Sequence, residues 1–143
     1  MDNFLTEDDR ERIKHAIHTA DKQTGGEIRV YVEKICKGDA LKRAQKIFTQ
    51  LKMQNTELRC GVLFYVAHES RQFAIAGDSG IHEKVKQEFW DSVKDLMIPY
   101  FKENKYAEGL EKGIAMAGEQ LKIHFPYSGN DTNELSDDVV EGK

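Results

Sequence analysis

The spacing of apolar residues predicts alternating helices and strands in the first half of the chain. Ile13 and Ile17 recur at helical spacing after a Thr6 cap and three acidic residues, so a helix is predicted over residues 6–22. Residues 27–33 alternate between apolar and polar, which predicts a strand with one more polar face. The alternation of helix and strand is typical of α/β proteins.

The middle of the chain predicts a crossover connection followed by a hairpin. A helix that begins at a Gly38-Asp39 cap and stops near Asn55 separates the first strand from an unbroken apolar run at 62–67. Because the connection contains a helix, we expect these two strands to be parallel. A four-residue polar link then leads to a third strand at 72–76, which predicts an antiparallel pair.

The last third of the folded part predicts two more helices. One runs from about residue 88 to residue 104, with Pro99 expected to kink or interrupt it, and the other covers residues 106–124. Four helices on the faces of a small mixed sheet, built from a parallel crossover and a hairpin, define the predicted fold class. It is a three-layer α/β/α sandwich in a single domain, residues 1–126.

The charge distribution separates this domain from its C-terminal segment. The formal net charge is −4, from 21 basic and 25 acidic residues. Five of those acids and one of those bases lie in residues 127–143, so the remaining 126 residues are balanced. A balanced body argues against nucleic-acid binding, which needs a basic surface. The acidic segment 127–143 is expected to be a disordered tail, and it could contact a protein partner.

Cysteine content and hydropathy exclude further classes. Two cysteines do not make a disulfide framework or a multi-cysteine zinc module. No apolar run approaches about 18 residues, and the N-terminal sequence is acidic, so we expect neither membrane insertion nor export. The expected location is the cytoplasm.

A series of short motifs in fixed order resembles the TPM domain family. The matching positions are Gly61-Val62-Leu63, Arg71, Gly77, Gly80-Ile81, Pro99-Tyr100-Phe101, Tyr106, and Gly109-Leu110 with Gly113. The chain departs from the family pattern at Cys60, where Asn is frequent, and at His82, where Glu is frequent. The resemblance implies an α/β/α fold and divalent-cation binding. It also implies the acid phosphatase activity known for some members.

Familiar catalytic motifs do not account for this chain. Gly77-Asp78-Ser79-Gly80 matches the sequence around the nucleophile of chymotrypsin-like peptidases, but a short α/β chain lacks the two β-barrels and the separately held His and Asp of those enzymes. The residue six positions after Cys36 is Lys42, where a cysteine phosphatase needs Arg. Walker, HExxH and EF-hand patterns are absent from the sequence.

Carboxylates near the end of the third strand are the candidate metal ligands. The topology places Asp78 at the same sheet edge as Glu27 and residues 57–60, and Ca²⁺ or Mg²⁺ prefers oxygen ligands. Glu88 and Asp91 share one face of the following helix. The candidate ligand set is Asp78, Glu83, Glu88 and Asp91. In the alternative interpretation, residues 77–80 are only a helix-capping turn and the helical acids are a solvated face.

Two arginines are candidates for binding an anion. Arg59 precedes the second strand and Arg71 follows the hairpin link, and a guanidinium matches both phosphate and carboxylate. Surface ion pairs are the alternative for both.

Three functional hypotheses follow. The first is a regulatory or interaction module that binds Ca²⁺ or Mg²⁺. The second is a metal-assisted acid phosphatase acting on phosphomonoesters, with Arg59 or Arg71 stabilising charge. The third is a structural domain that contacts a protein partner through its acidic tail.

Overall fold

The order of helices and strands is the predicted one. The computed structural model describes residues 5–22, 24–55, 58–126 and 139–142. In chain order its elements are α1 (Glu7–Lys22), β1 (Glu27–Glu33), α2 (Ala40–Gln50), β2 (Gly61–Ala67), β3 (Gln72–Gly77), α3 (Ser79–Lys102), α4 (Tyr106–His124) and β4 (Val140–Glu141). One turn of 3-10 helix, Met53–Asn55, follows α2.

The sheet combines the two predicted connections. Its strand order is β3-β2-β1-β4. β1 and β2 are parallel and in register from Glu27 opposite Gly61 to Glu33 opposite Ala67. β2 and β3 are antiparallel, as expected for a hairpin. The crossover and the hairpin are therefore both confirmed.

Helices cover both faces of the sheet. Ile28, Val30 and Val32 of β1 belong to a core shared with α1, α3 and α4, whereas Leu63 and Tyr65 of β2 belong to a core shared with α2. Successive side chains of a strand point to opposite faces, so each strand contributes to both cores. The three-layer α/β/α architecture is confirmed.

Side-chain caps fix where the first helices begin. Thr6 accepts a hydrogen bond of 3.0 Å from the backbone of Asp9, and the Asp9 carboxylate accepts one of 3.0 Å from the backbone of Thr6. This reciprocal pair satisfies two backbone donors at the start of α1. Asp39 caps α2 by accepting a 3.0 Å hydrogen bond from the backbone of Lys42. Both starts agree with the predicted caps.

Helix α3 differs from the prediction in its start and in the position of its break. It begins at Ser79, directly after β3, rather than near residue 88. Its backbone departs from helical dihedral angles at Lys86 (φ 66°, ψ 171°), and the helix continues through Pro99 to its end. Pro99 is exposed, so water can reach the carbonyl group that its missing N–H leaves without a helical partner.

The end of the chain adds a strand that the sequence analysis did not include. Residues 127–138 lie outside the described residues. Val139 is buried, and β4 pairs in parallel with β1, with Val140 opposite Tyr31. The N–H of Gly142 donates a 2.7 Å hydrogen bond to the carbonyl of Val32. The last described residues are thus part of the sheet rather than of a separate tail, and the boundary at residue 126 stays a prediction.

The helices in the described ranges include none with the length and apolar character needed to cross a bilayer. The cytoplasmic location stays a prediction.

Candidate functional site

Three chain segments meet at the sheet edge predicted for Asp78. Glu27, at the start of β1, pairs with Gly61, and the next residue of β2 pairs with Gly77 at the end of β3. Asp78 follows directly. Glu27 is buried at this edge, whereas Glu57, which the sequence analysis placed here as well, lies outside the described residues.

Asp78 and Arg59 are in direct contact at this edge. The carboxylate of Asp78 accepts hydrogen bonds from Nε and Nη2 of Arg59, each 2.8 Å long. The Asp78 side chain is 4% exposed and the Arg59 side chain is 51% exposed. Hydrogen bonding to Asp78, and then its charge, raises the pKa of Arg59. A buried carboxylate therefore holds a guanidinium that remains open to solvent.

Asp78 also forms the N-cap of α3. Its Oδ1 accepts a 2.7 Å hydrogen bond from the backbone N–H of Ser79, and its own backbone is extended. The N–H of Asp78 donates to the carbonyl of Gly61 at 2.9 Å. A negative side chain suits a helix N-terminus, where backbone N–H groups lack partners. The structure therefore shows residues 77–80 as a helix-capping turn.

Gly80 allows α3 to begin against the segment before β2. Its N–H donates a 2.8 Å hydrogen bond to the carbonyl of Arg59. A Cβ at position 80 would lie 2.6 Å from that carbonyl oxygen and closer still to the carbonyl oxygen of Leu58. Arg59 itself has a φ of 54°, in the left-handed region that disfavours residues with a side chain. The start of α3 is therefore in close contact with the backbone of residues 58–59, and only glycine at position 80 permits this contact. We call residues 58–59 and 77–80 the Arg59 corner.

A cleft of about 320 Å³ opens beside this pair, and we call it the Arg59 cleft. Besides Arg59 and Asp78, its polar and aromatic lining comprises Gln45, Phe48, Thr49, Gln54, His82, Gln87 and Trp90. Its volume is at the lower end of the range of about 300–1,000 Å³ for small-molecule sites. The cleft is rich in hydrogen-bonding side chains and contains one arginine whose orientation is fixed.

Trp90 and His82 form one side of the Arg59 cleft. The Trp90 indole lies against Gly77, where a Cβ would collide with its ring. Its Nε1–H donates a 3.1 Å hydrogen bond to Nδ1 of His82. Because Nδ1 accepts this bond, the neutral imidazole carries its proton on Nε2. His82 therefore adds a donor to the cleft that it lines.

The four predicted metal ligands do not form one group. Asp78 is buried against Arg59, whereas Glu83, Glu88 and Asp91 are exposed on α3. Across residues 5–22, 24–55, 58–126 and 139–142, no three His, Cys, Asp or Glu side chains are grouped so that they could hold a metal ion. The guanidinium of Arg59 occupies the position beside Asp78 that the sequence analysis gave to a cation. Cation binding at this corner stays a prediction.

Arg71, the second predicted anion ligand, lies far from Arg59. Arg59 precedes β2 and Arg71 follows it, so a strand of seven residues, roughly 20 Å long, separates them. Arg71 lines a second cleft, together with Phe73 and Lys102. The two arginines therefore cannot hold the same small anion.

A buried ionic cluster on the α2 face of the sheet was not predicted from the sequence. Glu33, at the end of β1, accepts hydrogen bonds of 2.9 and 3.0 Å from Arg43 and a further one from the hydroxyl of Tyr65. Burial by itself would raise the pKa of Glu33, but the bonds from Arg43 and Tyr65 outweigh it and lower the pKa. Burial also raises the pKa of Tyr65, and the bond to Glu33 adds to that effect.

This cluster follows from a strand face that the sequence marks as polar. Glu27, Arg29, Tyr31 and Glu33 alternate along β1 and share the face that α2 covers. The alternation predicted that one face of the strand is more polar, and the structure buries Glu33 on that face to 8% exposure. The feature of the sequence that could have indicated this cluster is Arg43, which lies one turn of helix after the Asp39 cap.

The fold and the Arg59 corner define a small α/β/α domain with an anchored arginine at one sheet edge. Residues 1–120 match the family model described as the TPM domain. The chain therefore belongs to the TPM domain family.

Solved structures of other proteins share this fold. The BA42 protein of the psychrophilic bacterium Bizionia argentinensis is 41% identical, with a TM-score of 0.91 over 99% of this chain and 98% of that one. The N-terminal domain of a protein from P. gingivalis is 20% identical, with a TM-score of 0.69 over 87% of this chain and 83% of that one. The N-terminal domain of cg2496 from Corynebacterium glutamicum is 16% identical, with a TM-score of 0.61 over 82% of this chain and 74% of that one. None of the curated protein sequences matches the chain.

Proposed function

We propose that this TPM domain is a binding module for a small molecule that bears a phosphate or carboxylate group, and that Arg59 receives the anion. The contact between Arg59 and Asp78 carries the proposal. A guanidinium has five N–H donors, and Asp78 accepts from two of them. The other three point away from Asp78 because the guanidinium is planar and rigid.

Asp78 improves Arg59 as an anion ligand because it fixes its orientation. A free arginine side chain loses rotational freedom when it binds a ligand, whereas an arginine held by a buried carboxylate has already lost most of it. His82 and the amide side chains of the cleft supply further donors. In this proposal the domain acts as a regulatory or interaction module whose state depends on ligand binding.

Binding of Ca²⁺ or Mg²⁺, which the family resemblance implies, is a second candidate function for the same corner. Asp78 is the buried carboxylate among the predicted ligands, and it lies at a turn with two glycines, Gly77 and Gly80. Both of its oxygens accept hydrogen bonds from Arg59. An ion would therefore bind Asp78 only after Arg59 moves away, for example when Arg59 turns toward a bound phosphate.

The anion proposal is tested by titrating inorganic phosphate into the ¹⁵N-labelled protein and following backbone amide signals by NMR. We expect saturable shifts confined to residues 58–61 and 77–90. Shifts that are absent, or that spread evenly over the surface lysines, would contradict it. The same titration with sulfate separates a general oxyanion site from one that prefers phosphate.

Hydrolysis of a chromogenic phosphomonoester tests the alternative that the domain is a metal-assisted phosphatase. The assay compares the wild type with Asp78→Ala, each with and without EDTA. Hydrolysis that both EDTA and the substitution abolish would support an enzyme. A wild-type rate no higher than that of Asp78→Ala leaves the domain as a binding module.

A further inference from the structure

A second cleft, which lies at the opposite end of β2 from Arg59, has a different chemical character. Its volume is about 390 Å³, and we call it the Arg71 cleft. Arg71 and Lys102 form its cationic part. Its apolar part comprises Val66, Ala67, Phe73, Ile98 and Phe101, and its remaining lining residues are His68, Gln72 and Tyr106. It therefore lies between the hairpin, the end of α3 and the start of α4.

The apolar part of the Arg71 cleft is a packed aromatic surface. The rings of Phe73 and Phe101 meet edge to face, with centroids 4.7 Å apart, and Phe101 also contacts Tyr106 at 5.0 Å. Phe101 is buried, whereas Phe73 and Ile98 are partly exposed. We call this surface of Phe73, Ile98 and Phe101 the apolar floor. It offers a ligand apolar contact area with little loss of side-chain freedom, because the rings are already held in place.

The charged part of the Arg71 cleft is cationic, and the part of the chain that the structure describes contributes no acidic side chain to its lining. The lining residues include Arg71 and Lys102 but no Asp or Glu. Within the described residues, neither cation forms an ion pair with a carboxylate. The ammonium of Lys94 lies 5.3 Å from the centroid of the Phe73 ring, which adds positive charge beside the floor. The Arg59 cleft differs, because Asp78 balances its arginine.

The turn that carries Arg71 is anchored. The N–H of His68 donates to the carbonyl of Glu33 at 3.1 Å, and the N–H of Glu69 donates to that of Lys34 at 2.9 Å. Ser70 Oγ accepts a 2.9 Å hydrogen bond from the backbone of Cys36.

Arg71 itself adopts a φ of 54°, a conformation in which glycine or asparagine is less strained. Backbone strain of this kind is concentrated at functional positions. The backbone that carries Arg71 is thus held in place, and its exposed side chain lines the cleft beside the apolar floor.

We infer that the Arg71 cleft binds an amphipathic organic anion, with an apolar chain or ring against Phe73 and Phe101 and a terminal carboxylate between Arg71 and Lys102. Two observations carry the inference jointly. The apolar floor excludes a fully hydrated ion such as phosphate as the best ligand, because it would leave the aromatic surface uncovered. The unbalanced positive charge favours an anion over a neutral apolar molecule.

The test compares three probes by NMR titration of the labelled protein. Octanoate has both the apolar chain and the carboxylate, 1-octanol has only the chain, and acetate has only the carboxylate. We expect octanoate to shift the amide signals of residues 66–73 and 98–106 with millimolar or tighter affinity, and to bind at least about fivefold more tightly than either other probe. Octanol binding as tightly as octanoate would overturn the role of the cations. Acetate binding as tightly would overturn the role of the floor.

Variants connect binding to the named residues. Arg71→Gln and Lys102→Gln should each weaken octanoate binding at least about threefold. Lys84→Gln removes the same charge from an exposed position of α3 outside both clefts and should leave it unchanged. Equal loss in all three variants would show general charge attraction and contradict the inference. The amide spectra of the free variants check that each is folded.

This site is independent of the proposed function. Arg59→Gln removes the side chain that is proposed to bind phosphate in the Arg59 cleft. It should leave octanoate binding intact. Loss of octanoate binding in Arg59→Gln would contradict two separate sites, whereas failure of phosphate to bind would leave the Arg71 cleft unaffected.

Discussion

Nε1 of Trp90 lies 3.1 Å from Nδ1 of His82, although the two residues are eight positions apart along α3. In a continuous α-helix that separation would place their Cα atoms about 12 Å apart. The kink at Lys86 lies between the two residues, and their rings meet across it. The hydrogen bond therefore ties the two parts of α3 together beside the Arg59 cleft.

A double-mutant cycle tests this tie. Trp90→Phe removes the donor and His82→Ala removes the acceptor. We expect a coupling free energy of about 0.5–1.5 kcal/mol from urea denaturation of the wild type, both single variants and the double variant. The free-energy cost of the volume lost from each ring cancels in the cycle, because it is present in the single variant and in the double variant. Additive effects would show that the bond makes no contribution to stability.

A second prediction concerns Gly80. Gly80→Ala places a Cβ against the carbonyl groups of Leu58 and Arg59, neither of which is a flexible side-chain atom. We expect a loss of about 1–3 kcal/mol in the free energy of unfolding, because the start of α3 has to move. Weaker phosphate binding should accompany that loss.

The adjacent substitution Ser79→Ala is the control for Gly80→Ala, since the Ser79 side chain is exposed. If Gly80→Ala were as stable as Ser79→Ala, the close contact at this corner would not constrain the fold.

A third prediction concerns the buried carboxylate of Glu33. Its folded-state pKa is lower than the usual value of 4.5, so its interactions stabilise the fold above that pH and are lost as the pH falls through the lowered pKa. At pH 7, Glu33→Gln should cost about 1–3 kcal/mol, because Arg43 and Tyr65 lose a charged partner.

Thermal unfolding between pH 7 and pH 3 checks the direction of this pH dependence. The difference in stability between the wild type and Glu33→Gln should shrink once the pH drops below about 4.5. Asp95→Asn, at an exposed position of α3, should show little difference at any pH. A gap between wild type and Glu33→Gln that widens on acidification would contradict the assignment.

The sequence predicted most of this fold because its signals are local. The Thr6 and Asp39 caps, the alternation in β1 and the apolar run of β2 each depend on residues within one element, and all were confirmed. The helical periodicity of residues 106–124 was confirmed for the same reason.

The candidate site was less predictable because it depends on contacts between segments. Asp78 was expected beside a cation, but its partner is the side chain of Arg59, nineteen positions earlier. The break in α3 lies at Lys86, where the sequence has neither of the residues that usually indicate a break, glycine or proline. The helix continues through Pro99, where the sequence does indicate one. Likewise, the acidic composition of the C-terminal segment gave no indication that residues 140–141 pair with β1.

Competition between Arg59 and a divalent ion provides a fourth prediction. If Ca²⁺ or Mg²⁺ uses Asp78, Arg59→Gln should bind the ion more tightly than the wild type, because it frees both carboxylate oxygens. Calorimetric titration of Ca²⁺ and of Mg²⁺ measures this. Asp78→Asn should abolish the gain, and an ion affinity that is the same in wild type and Arg59→Gln would place any ion site elsewhere.

The role of Arg59 as the anion ligand is measured by the affinity for inorganic phosphate of the wild type, Arg59→Gln and Lys84→Gln. Trp90, the single tryptophan, lines the Arg59 cleft and provides a fluorescence signal that can be compared with the amide shifts. We expect Arg59→Gln to weaken phosphate binding at least about tenfold and Lys84→Gln to leave it unchanged. Equal affinity in Arg59→Gln and the wild type would contradict this role of Arg59.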